Sequence, residues 1–289
     1  MVIEDEIIFK SLFENFDFNK YLAEKNIANL VGIDLQEYGN PQKKIIKSPF
    51  YRVDPKVTEP YAPELDDLCR LHWLLTFRHV TTVLEFGLGK STIIIDDALN
   101  INRMNDLGYV QENLRRSNLF ECHSIENNDN WIGEVRSKNN LQSVNYHKAK
   151  LTVETFNGRV CTFYDPTPNI CPDFIYLDGP DQHSSTGEIR GINTRHKDRM
   201  PMSGDILAFE HFLLPGTLIL VDGRTANARF LKANLQRDWI YHHDLNTDQH
   251  YFELTEVPLG IYNKQQIAYC LGENYYKRVD LHKKIKCNG

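Results

Sequence analysis

At 289 residues the chain is long enough for one large domain with appendages, or for two small ones. With 41% hydrophobic and 25% charged residues, its composition is that of an ordinary soluble globular protein. A net charge of −6 gives no long-range pull toward nucleic acid, and no apolar run approaches the ~20 residues that span a bilayer.

Residues 1–6 are acidic and lack the basic-then-apolar order of a signal peptide, so a cytoplasmic protein is expected. Ile7, Ile8, Leu12, Phe13 and Phe16 recur at helical spacing, followed by Tyr21, Leu22, Ile27 and Leu30. They predict one or two amphipathic helices that pack on the core or on a second copy of the chain. Between Pro41 and Pro63 the prolines and the Lys43-Lys44 pair predict an extended connector. Its aromatics Phe50, Tyr51 and Tyr61 either anchor it or line a substrate mouth. Three segments result: an extension over 1–60, a main domain over 61–256 and a second extension over 257–289.

Leu65, Leu68, Leu71, Leu74 and Leu75 predict a helix leading into Val83 and Leu84, a buried strand that ends on Glu85. Gly87 and Gly89 then form a turn, and Ser91 or Thr92 caps a helix carrying Ile93, Ile94, Ile95, Ala98 and Leu99. Such a turn leaves amide donors beside a helix N-terminus. Residues 101–120 are polar and irregular, and read as an inserted helix and loop.

Strand signals follow at 122–126, ending on Glu126, and at 144–147. Residues 151–165 alternate like a small added hairpin. Residues 173–178 and 216–222 are apolar strands that end on Asp178 and Asp222. Two runs flanking Asn246-Thr247-Asp248 predict a terminal antiparallel hairpin. An α/β fold is expected, a Rossmann-like doubly wound and mostly parallel sheet. Ligands of such sheets bind outside the carboxyl ends of the strands, which gathers Glu85, Glu126, Asp178 and Asp222 at one rim. The six cysteines form no close pair, so reduced thiols are expected.

The Glu85-x-Gly87-x-Gly89-x-Ser91 pattern, the acid-ended strands and the terminal hairpin resemble the class I S-adenosylmethionine-dependent methyltransferases over about residues 65–255. Ser91 stands where the fuller family pattern has a third glycine. The resemblance implies a cofactor site of Glu85, Gly87, Gly89, Ser91, Glu126 and Asp178, with Glu126 on the ribose hydroxyls. It places substrate chemistry at the turn from Asp178 to His183, either residue serving as general base. Some O-methyltransferases of this fold hold Mg²⁺, for which Asp178 and Asp222 are the available acids. Gly223 stands where a further ligand would be. Arg190, Arg195 and Arg224 belong to a basic group suited to a phosphate or carboxylate, or else simply to a solvated loop.

The Asp178-Gly179-Pro180 and Leu220-Val221-Asp222-Gly223-Arg224 segments also resemble surface-polysaccharide enzymes, which implies a sugar or nucleotide-sugar acceptor. Two other readings stay open. Gly89-Lys90-Ser91-Thr92 matches the end of a phosphate loop, although Leu84 stands at its first glycine. A non-catalytic member of the fold would instead bind a partner through the N-terminal helices. Over the tail, Lys264, Lys277, Arg278, Lys283, Lys284 and Lys286 suggest a solvated basic face or a subunit contact.

Overall fold

The structure, a computed structural model, describes residue 9 and residues 11–13, 16–35 and 64–288. Ile7, Ile8 and the proline-rich connector with Phe50, Tyr51 and Tyr61 lie outside the described residues. The N-terminal segment contains helices α1 (Phe18–Lys25) and α2 (Ile27–Leu30). Asp17 caps α1 by accepting from the Lys20 amide at 3.1 Å, and Asn26 joins the two helices in the left-handed region. Tyr21, Ile27, Ala28 and Val31 are buried in the main core, so this segment packs on the domain.

The leucine-rich helix α3 (Leu65–Phe77) precedes β1 (Thr82–Phe86), and α4 (Lys90–Asn113) follows the glycine turn. The expected insertion after the first helix is absent. α4 runs unbroken through residues 101–113 because Asn102, Val110 and Leu99 keep burying one side. Next come β2 (Glu121–Glu126), α5 (Asp129–Lys138) and β3 (Val144–Lys148). The hairpin β4 (Lys150–Phe156) and β5 (Arg159–Asp165) forms a separate two-stranded sheet. Then follow β6 (Phe174–Leu177), α6 (Asp205–Phe209), β7 (Leu218–Asp222), α7 (Thr225–Asn234), β8 (Trp239–Asp244), β9 (Gln249–Leu254), α8 (Gly260–Cys270) and α9 (Gly272–Asn288).

The main sheet has the order β3-β2-β1-β6-β7-β9-β8. β9 runs against the direction of the other six strands of this sheet; it is inserted between β7 and β8. This is the expected Rossmann-like fold with its terminal hairpin. Alternation along the strands splits the core in two. Val83, Cys122, Phe174, Tyr176, Leu218 and Leu220 face α3 and α4, while Leu84, Phe86, Ile125, Ile175, Leu177, Ile219 and Val221 face α6, α7 and the hairpin. Each fully buried side chain of this size contributes about 1.5–3 kcal/mol.

The C-terminal helices are fastened to the same body. Tyr275 is fully buried and its hydroxyl donates to the Leu254 and Glu256 carbonyls. Arg278, expected on a solvated face or at a subunit contact, is buried and bonded to Glu253 in β9, because α9 lays that face against the sheet. Lys264, Lys277, Lys283 and Lys284 do stay exposed. The five described cysteine side chains are free thiols. No helix among the described residues is long and apolar enough to cross a membrane.

Candidate functional site

Between β1 and β6 the chain order of the sheet reverses, so the carboxyl ends of these strands are its switch point. Register decides which acids reach the rim. Phe86 pairs with Ile125 and Leu177, and Leu177 with Val221. One step further out lie Glu126, Gly87, Asp178 and Asp222, in one row. Glu85 lies a layer below, level with Ser124 and Tyr176.

Glu85 is accordingly fully buried, and Ser91, Thr92 and Ser124 donate hydroxyls to it at 2.7, 2.8 and 2.7 Å. Burial raises its pKa to about 7 against those three hydrogen bonds. Glu85 and Ser91 therefore anchor the glycine turn from beneath. Thr92 also accepts from the Gly89 amide at 3.0 Å, fixing the start of α4.

The two glycines of the turn differ. Gly87 has φ +95°, and a Cβ there would stand 2.8 Å from the Gly179 nitrogen. A Cβ on Gly179 would stand 2.6 Å from the Gly87 nitrogen, so both glycines are required for the two turns to touch. Gly179→Ala is expected to lower stability by about 1–3 kcal/mol, read as a shifted denaturation midpoint; an unshifted midpoint would mean the turns part freely. At Gly89 a Cβ would meet nothing nearer than Ser91 Oγ at 3.9 Å. Protein packing does not require a glycine there; an outside group lying against the backbone would.

Glu126 accepts from the Asn127 and Asn128 amides at 2.8 and 2.9 Å, and its second oxygen lies 3.4 Å from the Leu88 amide. The Trp131 indole donates to the Leu88 carbonyl at 2.5 Å and closes the other side of the turn. Asn128 caps α5, placing Trp131 there.

Asp178 keeps 54% of its side chain exposed, with the Arg224 guanidinium 3.8 Å away. The surrounding protein raises its pKa, Asp222 adding to the rise and Arg224 opposing it, while its exposure to solvent tempers the shift. Arg224 also donates to the Pro180 carbonyl at 2.6 Å, and its Nη1 is buried with no hydrogen-bond partner. The Tyr164 hydroxyl, from β5, is likewise buried and unpartnered, and Arg224 acts electrostatically on it. Sequence reasoning missed Tyr164, whose place in an alternating hairpin gave no functional signal.

Asp222 accepts from Tyr176 at 2.6 Å. Among the described residues no third metal-ligating side chain completes a cluster with Asp178 and Asp222. His183 lies in an exposed loop where its amide bonds Asp181 at 3.0 Å and its ring makes no hydrogen bond. That loop is pinned to the hairpin, with Thr186 paired to β4 and Ser203 to β5. Arg195 holds the loop from within, donating to the Ser185 and Gly187 carbonyls at 2.5 and 3.1 Å. Arg190 is exposed with φ +53°. The expected basic group is thus divided, and only Arg224 stands beside the rim acids.

Lys90 turns away from the turn it follows and donates to the Val31 carbonyl at 2.8 Å. No protein-family model, curated protein or solved structure matches the chain.

Proposed function

We propose that the chain is an S-adenosylmethionine-dependent methyltransferase that acts on an oxygen of a small polar acceptor, of the sugar or nucleotide-sugar class. The observation that carries this reading is the rim itself. Glu126, Asp178 and Asp222 lie in one row beside a glycine turn at the switch point, and Gly89 leaves its outer side uncovered. Glu126 would take the ribose hydroxyls and the amides of the turn the amino-acid end. Methyl transfer to a hydroxyl needs the oxygen aligned and its proton removed during attack. Asp178 is the proposed base, with His183 a second candidate from the loop that follows β6. Arg224 Nη1 and the Tyr164 hydroxyl would orient an anionic or hydroxyl-bearing acceptor. Mg²⁺ would rest on two protein acids and waters, a sparse set that the ion nevertheless accepts.

Calorimetry with S-adenosylhomocysteine, ATP and NAD in parallel tests the reading. Binding of S-adenosylhomocysteine alone is expected, and binding of ATP or NAD alone would overturn it. Glu126→Ala should weaken S-adenosylhomocysteine about 10- to 150-fold, the loss of a hydrogen bond to a charged group. Unchanged affinity in a folded Glu126→Ala protein would remove that acid from the site.

The phosphate-loop reading makes the opposite demand on Lys90, whose ammonium would have to face phosphates. Its bond to Val31 speaks against that. Lys90→Ala should leave S-adenosylhomocysteine affinity within about threefold, a change of under ~1 kcal/mol. Tight ATP binding that collapses in this variant would replace the methyltransferase with a nucleotide-phosphate enzyme.

A further inference from the structure

We propose that His243, Asp248 and His250 form a binding site for a divalent transition-metal ion of the zinc type. The site lies on the terminal hairpin, beside the end of β7 that carries Asp222 but built from other residues, and does not depend on the methyltransferase reading. His243 and His250 are cross-strand partners in β8 and β9, and their rings stack at 3.8 Å with 20° between planes. Asp248 comes from the turn that joins the two strands. Its Oδ1 lies 3.1 Å from His243 Nε2 and 3.8 Å from His250 Nε2. Thr225 Oγ1, at the start of α7, joins the group at 2.8 Å from that oxygen and 3.1 Å from His250 Nε2.

Two donors held about 2.1 Å from one tetrahedral ion stand roughly 3.4 Å apart, so the spacing suits one ion once the stacked rings turn to aim both Nε2 lone pairs at it. The donor set, two imidazoles and a carboxylate, suits zinc and its neighbours and not magnesium. In their absence the His243 proton and the Thr225 hydroxyl proton hold the carboxylate. An ion would replace the His243 proton and leave its fourth position to water on the side where Asp248 is 47% exposed.

Supporting contacts fix the ligands. His250 is fully buried, and its Nδ1 lies 2.9 Å from the Tyr241 hydroxyl. When Nδ1 donates to that oxygen, Nε2 carries the lone pair that an ion needs; the polar atom nearest to Nε2 is Thr225 Oγ1 at 3.1 Å. Lys232 packs over the Tyr241 ring at 4.1 Å. Gly223 donates its amide to the Asp248 carbonyl at 3.1 Å, tying the turn to the end of β7. Arg229, also on α7, is a second nearby cation that opposes a metal ion.

The other acidic cluster, Glu64, Asp66 and Asp67, differs in kind. Arg70 already bonds Asp66 and Asp67 at 2.6 and 3.1 Å and supplies the countercharge.

The test is calorimetric titration of the chelator-stripped full chain with Zn²⁺, alongside Co²⁺ titration followed by visible absorption. One ion per chain at micromolar affinity or better is expected, with the intense Co²⁺ bands of a four-coordinate site. His243→Ala and Asp248→Ala should each weaken Zn²⁺ by at least ~100-fold, and Tyr241→Phe by about 10-fold. Circular dichroism checks that each variant folds, and Asp248→Asn, which keeps the shape of the turn, replaces any that does not. Failure of the wild type to take up zinc stoichiometrically at ~100 µM would overturn the proposal. So would zinc binding that survives both ligand variants, since the ion would then sit on the free thiols or on the acidic cluster.

Discussion

Asp178→Asn is expected to lower methyl-transfer turnover by about 10²–10⁴-fold, the usual contribution of a positioned base, while S-adenosylhomocysteine still binds. The amide keeps the shape of the side chain and its place at the end of β6 but cannot take a proton. His183→Ala is the matched comparison. Its ring has no partner to orient it, so the loss should be smaller than for Asp178→Asn unless the bound acceptor draws the loop inward. A larger loss at His183 would exchange the two roles. Sustained activity in chelator would place the chemistry on these side chains, whereas loss in chelator with recovery in magnesium would assign Asp178 and Asp222 to an ion.

The pH profile carries a sign that a merely structural aspartate would not give. The base works deprotonated, so kcat/KM should rise with pH through the raised pKa of Asp178. Arg224 lies 3.8 Å away and holds that pKa down from where burial and Asp222 would put it. Arg224→Gln should therefore move the rising limb to higher pH, whatever it does to acceptor binding. A limb that stays in place in Arg224→Gln would exclude Asp178 as the titrating group.

Much of this architecture was legible because apolar runs that end on an acid are local features. Val83–Leu84, Phe174–Leu177 and Leu218–Val221 read directly as buried parallel strands, and Asn246-Thr247-Asp248 as the turn of the last hairpin. Register is a relation between distant segments, and the sequence does not display it. Glu85 therefore read as a rim acid, although pairing places it one layer down under three hydroxyls. The Gly87–Gly179 contact was hidden for the same reason, each glycine having a sufficient local explanation in its own turn. The basic loop is a different case: Arg195 donates its guanidinium to carbonyls of its own loop, a use that composition cannot separate from ligand binding. The candidate metal cluster also escaped notice. His243, Asp248 and His250 carry no familiar ligand spacing, and only the hairpin stacks the two rings.

The largest expected stability effect lies far from the rim, at Glu253. Its carboxylate is buried in β9 between two guanidiniums, with Arg78 Nη1 at 2.8 Å and Arg278 Nε and Nη2 at 2.7 and 2.9 Å. Arg78 also donates to the Gly216 carbonyl at 2.7 Å, so the group joins the end of α3, the sheet and α9. Burial alone would raise the Glu253 pKa, but the two arginines outweigh it and hold it below the ordinary value. Glu253→Gln keeps the shape and leaves two buried cations facing a neutral amide. Breaking a buried pair in this way costs about 3–5 kcal/mol, which chemical denaturation would read directly. The contribution of a depressed carboxylate is complete above its unfolded pKa and is lost as pH falls through the folded one. The gap between wild type and Glu253→Gln should therefore close on acidification. Arg278→Met tests the attachment of α9 separately: it leaves one guanidinium on Glu253, so a loss smaller than that of Glu253→Gln is expected. A Glu253→Gln protein within ~1 kcal/mol of wild type at neutral pH would mean that α9 is held by Tyr275 and its apolar neighbours, and that the ion cluster adds orientation without net stability.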